Sequence, residues 1–126
     1  MDKRSGEWLK QADYDIETAE FMFDGAKYFY TVFMCHLSVE KAMKGLYQQC
    51  LKETPPKTHN LVYLLKKTGI RPTEEIGRFI VKLNEASVVT RYPEDIDKLQ
   101  RQYTQGVVKN ILVKSKEVLQ WIKKQF

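Results

Sequence analysis

Apolar residues recur at three- and four-residue steps along most of the chain, and that period predicts helices. Trp8, Ala12, Ile16, Ala19 and Phe23 make one buried stripe on a first helix. Gly25 ends it, being suited to the position just past a helix C-terminus. A second helix runs from about Tyr28 to Leu51, with Val32, Val39, Met43, Leu46 and Cys50 on one face. Phe33, Leu37 and Tyr47 widen its apolar arc, so it lies central in a bundle or faces both a core and a partner subunit. Pro55-Pro56 stops it and forces an extended linker.

Thr58 then stands as the N-cap of a short third helix whose stripe is Leu61, Leu64 and Leu65, with Lys66 and Lys67 in its last turn and Gly69 closing it. Thr73 caps a fourth helix that opens on Glu74 and Glu75 and buries Ile76, Phe79, Ile80, Leu83 and Ala86. Tyr92 precedes Pro93 and favours extended backbone. From Pro93 to Tyr103 the pattern is polar and reads as a loop, or a loop with one helical turn. A last helix begins near Thr104 and buries Val107, Ile111, Val118, Leu119 and Ile122. No period-2 strand pattern occurs. The expected fold is all-α, an up-and-down four-helix bundle with a short additional helix. Tyr28, Phe29, Tyr30 and Phe33 are too dense a cluster for one small core, and burial in a homodimer would absorb the excess.

At 126 residues and 43% hydrophobic content the chain suits one globular domain spanning 1–126 and not a disordered segment. No apolar run approaches the ~20 residues of a membrane span, and the N-terminus enters an amphipathic pattern, not a signal core, so no membrane partner and a cytoplasmic location are expected. The net charge of +5 permits an acidic partner without demanding one, since no Lys/Arg run exceeds two residues. Cys35 and Cys50 lie ~22 Å apart along one helix, too far to pair, and read as small buried hydrophobes. Two cysteines and two separated histidines make no zinc spacing. With no glycine-rich loop either, neither a metal nor a cofactor is expected.

Candidate chemistry sits in three patches. His36, Glu40, Lys44 and Tyr47 form one polar strip on the second helix. There Glu40 can pair with Lys44, and His36 can donate to Glu40. The same residues can equally form a satisfied network that holds helix register. Lys57, Thr58 and His59 stand at the start of the third helix, where free amide groups favour anions; simple capping by Thr58 with a solvated His59 is the plainer reading. Arg91 and Tyr92 offer a guanidinium fork for phosphate and a ring face for a base. Arg91 can instead tie down its loop through carbonyls or Glu94.

Taken in order, these patches resemble a HEPN domain (higher eukaryotes and prokaryotes nucleotide-binding). The resemblance rests on Asp15 to Ala19 in the first helix and on His-x3-Glu-Lys-Ala-x-Lys from His36 to Lys44. It rests also on Lys-Thr-His-x-Leu from Lys57 to Leu61 and on Arg-Tyr-Pro from Arg91 to Pro93. It spans nearly the whole chain. It implies a helical bundle that forms a homodimer and associates with a minimal nucleotidyltransferase, often as a two-gene toxin–antitoxin pair. Many HEPN proteins are metal-independent ribonucleases with an Arg-x4-6-His motif. Here no histidine follows Arg91, the only histidines being His36 and His59. General acid–base cleavage of RNA therefore lacks its usual agent, and only the arginine transfers, as a phosphate contact.

Three functional classes stay open on these residues. The first is a nucleotide- or nucleic-acid-binding module in which Arg91 and Lys57 hold phosphate and Tyr92 meets a base or a partner; His36 and Glu40, with Lys44 and His59 beside them, order the groove. The second is a divergent ribonuclease that uses Arg91 with His36 or His59. The third is a helical interaction scaffold. By analogy with the family, Tyr92 and Tyr103 are candidates for modification by the partner.

Overall fold

The computed structural model describes residues 1–126. Six helices follow one another: α1 (Lys3–Asp24), α2 (Tyr28–Leu51), α3 (Leu61–Thr68), α4 (Glu74–Arg91), α5 (Ile96–Gln102) and α6 (Gln105–Lys124). The all-helical class expected from the sequence holds, with α1, α2, α4 and α6 as the long members.

Most boundaries are made by local capping. The Asp2 carboxylate accepts from the Ser5 amide at 3.0 Å to start α1. After α1 the chain turns through Ala26, at φ 60°, with the Lys27 amide bonded to the Met22 carbonyl at 2.8 Å. Thr73 and Thr104 cap α4 and α6, and Gly69 takes the left-handed position after α3 at φ 74°.

Three expectations about the helices themselves change. Asn60, not Thr58, caps α3: its side chain accepts from the Tyr63 amide at 3.0 Å, while the Thr58 hydroxyl accepts from the Asn60 amide at 3.1 Å. Asn60 wins because it directly precedes the first helical residue. The ambiguous stretch after Pro93 contains α5, whose Asp95 cap accepts from the Lys98 amide at 3.1 Å and whose Leu99 is buried. Its apolar content is too thin to show a period. On α6, Val108 is in the core and Val107 is exposed, while Ile111, Val118, Leu119 and Ile122 are buried as expected.

The core is one cluster that runs through Ala12, Val32, Val39, Met43, Leu46, Leu64, Ile80, Leu83, Leu119 and Ile122. α2 is its axis and packs on every other helix. α1 and α6 lie beside each other and are clamped by Lys123–Asp13 at 2.6 Å and Lys116–Glu20 at 2.7 Å. Gly45 on α2 allows α1 to come close: a Cβ there would stand 3.0 Å from the Trp8 Cβ and 3.2 Å from the Ser5 carbonyl. Cys35 is buried as expected, and burial pushes its thiol up to about 12. Cys50 is exposed instead, in the last turn of α2. No helix is long and apolar enough to cross a membrane.

Candidate functional site

Glu40 is the centre of the polar cluster. It is buried on the middle of α2, where an unpaired carboxylate would be costly. Its two oxygens are divided between two partners. The Lys44 ammonium donates to Oε2 at 3.0 Å, one helical turn away. His59 Nδ1 lies 2.8 Å from Oε1, reaching back from the linker before α3. Lys44 also covers the Trp8 ring at 5.8 Å, and Trp8 donates through Nε1 to Gln48 at 3.3 Å.

The expected His36–Glu40 hydrogen bond is not formed. His36 Nδ1 stands 3.9 Å from Glu40 Oε1, beyond bonding range, and His59 takes that oxygen. His36 is fully buried, and neither ring nitrogen has a hydrogen-bond partner. Burial lowers its pKa to about 4, with the Arg91 charge adding to the effect and Glu40 opposing it. His36 is therefore a neutral imidazole at pH 7.

Arg91 ends α4 and lays its guanidinium over the Phe33 ring at 4.8 Å. It forms no ion pair, with Glu94 or any other carboxylate. Its Nη2 is buried without a partner. A buried donor left unsatisfied costs about 1–3 kcal/mol, more when charged, so the position is poised for an acceptor.

The structure thus gathers His36, Glu40, Lys44 and His59, with Arg91 close enough to His36 for its charge to be felt. Lys57 and Tyr92 are not drawn into this cluster. Lys57 is exposed on the linker without an ion pair. Tyr92 caps α4 and is 73% exposed. Sequence reasoning assigned no site role to Phe33, which seats Arg91, or to Asn84. The Asn84 side chain accepts from the Leu61 amide at 2.8 Å and so holds down the linker that carries His59. Neither contact leaves a local signal, because the partners lie on different helices. His59 keeps 57% of its side chain in solvent while bonded to a buried carboxylate.

Comparison with known families fits this architecture. The HEPN domain family matches residues 5–125. The chain belongs to that family. Two solved structures share its fold. The crystal structure of TT1696 from Thermus thermophilus superposes with a TM-score of 0.84 at 21% identity, covering 99% of this chain and 100% of that one. The crystal structure of ST0689, an archaeal HEPN homologue, gives 0.77 at 27% identity and covers 98% of both chains. No curated protein matches. Within a HEPN bundle, then, this chain carries Arg91 at the end of a long helix, with a buried, unpartnered imidazole from α2 near it.

Proposed function

We propose that this HEPN chain binds the phosphate of a nucleotide or nucleic acid at Arg91, and that it works as a homodimer beside a minimal nucleotidyltransferase in a toxin–antitoxin-like pair. One observation carries the binding role: the Arg91 guanidinium is seated on Phe33 with a buried, unsatisfied Nη2, and its charge reaches a His36 ring whose nitrogens are both free. A phosphate oxygen would satisfy the guanidinium through charge-assisted bonds. Glu40, held by Lys44 and His59, fixes the wall of the site. Lys57, exposed on the linker, adds attraction at longer range, and exposed Tyr92 meets the second copy.

Titration of ATP and of a short RNA into wild type and Arg91→Ala tests the reading. The variant should bind at least about tenfold more weakly, the size of one charge-assisted hydrogen bond. Equal affinity in both proteins, or no binding by either, removes the site and leaves the scaffold role.

The His59–Glu40 bond of 2.8 Å favours a second reading, the divergent ribonuclease. A carboxylate orients that exposed imidazole through Nδ1 and leaves Nε2 free for proton transfer. His36, buried and neutral, is the poorer candidate. RNA cleaved by wild type and left intact by His59→Ala would support this reading; RNA left intact by the wild type ends it.

A further inference from the structure

A groove of about 440 Å³ opens where the first turn of α2 faces α5. Tyr28, Phe29 and Tyr30 form one wall, and Ile96, Gln100 and Tyr103 form the other. The volume is in the range of small-molecule pockets. Four of those six residues carry rings. Phe29 and Tyr30 stand 4.5 Å apart between ring centroids at 48°. Tyr30 is 46% exposed, so its ring is not used up in the core. Tyr103 is partly buried, and burial raises its phenol above the ordinary tyrosine value with no protein hydrogen bond offsetting the shift.

The groove lies one turn of α2 from the ring that seats the guanidinium. Phe29 and Tyr30 precede Phe33 by one turn of α2, a rise of ~5 Å. Arg91 covers Phe33 at 4.8 Å. Arg91 and the aromatic wall are therefore neighbours on one side of the molecule. A ring-lined groove with a cation about one helical turn away is an arrangement that separates base from phosphate in nucleotide recognition. Gln100 supplies an amide with both donor and acceptor for a base edge, and Lys27 adds a cation at the mouth.

We infer that this groove is a nucleobase subsite: it stacks the base of a nucleotide against Tyr30 and Tyr103 while Arg91 holds its phosphate. The inference rests on the phosphate role of Arg91 and extends it to the base. Tyr92, exposed beyond the end of α4 and absent from the groove walls, is then not the base contact.

Calorimetry on the full chain separates the two roles. The probes are AMP, ribose 5-phosphate, adenosine and a short oligoadenylate. AMP should bind at least about fivefold more tightly than ribose 5-phosphate, the low end of what one stacked base contributes. Tyr30→Ser and, independently, Ile96→Ser should remove that advantage and leave ribose 5-phosphate binding unchanged. Arg91→Ala should weaken AMP and ribose 5-phosphate alike. Tighter binding of oligoadenylate than of AMP would point to a single strand as the source of the base, and equal binding to a free nucleotide. Equal affinity of wild type for AMP and ribose 5-phosphate overturns the subsite, as does an AMP advantage that survives both groove variants. In those cases ribose 5-phosphate binding that still needs Arg91 preserves the phosphate site alone. Groove variants that break up a dimer without changing base preference would show the aromatic wall to be an interface, and would also overturn it.

Discussion

Replacing Glu40 by Gln removes one charge from the middle of α2 and keeps the side-chain shape. The Lys44 ammonium, almost fully buried, would then face a neutral amide in place of its counter-ion at 3.0 Å. Removing one partner of a buried pair typically costs about 3–5 kcal/mol. The Gln oxygen still accepts from the Lys44 ammonium, which retains a hydrogen bond to a neutral acceptor in place of an ion pair, so about 2 kcal/mol is expected for that contact. The His59 contact adds well under ~1 kcal/mol, because most of that ring lies in water. The total of about 2–3 kcal/mol is a large share of the ~5–15 kcal/mol that holds a typical domain together. Urea unfolding followed by circular dichroism at pH 7.5 reads it directly. With an m of about 2 kcal/mol per molar, the midpoint should fall by roughly 1 M or more. Protein concentration must be fixed, since a dimer couples assembly to stability. Lys44→Met alone should cost less, because Glu40 keeps His59. The double variant should be less damaging than the sum of the two by at least about 1 kcal/mol. A midpoint shift under ~0.3 M for Glu40→Gln, or strict additivity in the cycle, would refute the view that Glu40 is a buried anion held by Lys44.

Two further outcomes follow from the same packing. His36 has a folded pKa of about 4 against an ordinary 6.5, so between those values the unfolded chain binds the extra proton. Stability should therefore fall as pH drops from about 6.5 to 4, by about 3 kcal/mol for this group, and urea midpoints of His36→Leu should decline less steeply; parallel profiles would contradict a buried neutral imidazole. Gly45→Ala gains up to ~1 kcal/mol of helix propensity, but its methyl meets Trp8 and the Ser5 carbonyl and overpacking costs ~1–3 kcal/mol. A melting temperature several degrees lower is expected, and a higher one would mean that α1 and α2 are not in such close contact.

What the chain determined by itself is the set of helices and where they end. The second helix is legible from Tyr28 to Leu51, and Thr73, Gly69 and Thr104 announce their boundaries, because a period of 3.6 and a cap are local properties, written within one or two turns. The seven-residue α5 escapes the same reading because two apolar residues cannot establish a period. The ordered motifs of the HEPN family were legible as well. Tertiary structure alone decided which imidazole holds Glu40. Helical spacing nominates His36, but the linker after Pro56 folds back and delivers His59 to the same oxygen, leaving His36 buried and unpaired. It also decided that Arg91 rests on Phe33, that Cys50 lies outside the core, and that the aromatics at the start of α2 wall a groove with α5. The physical reason is range. Backbone hydrogen bonds and caps act between neighbours in sequence, whereas pairing a buried charge is settled by whichever group the packed helices bring within about 3 Å.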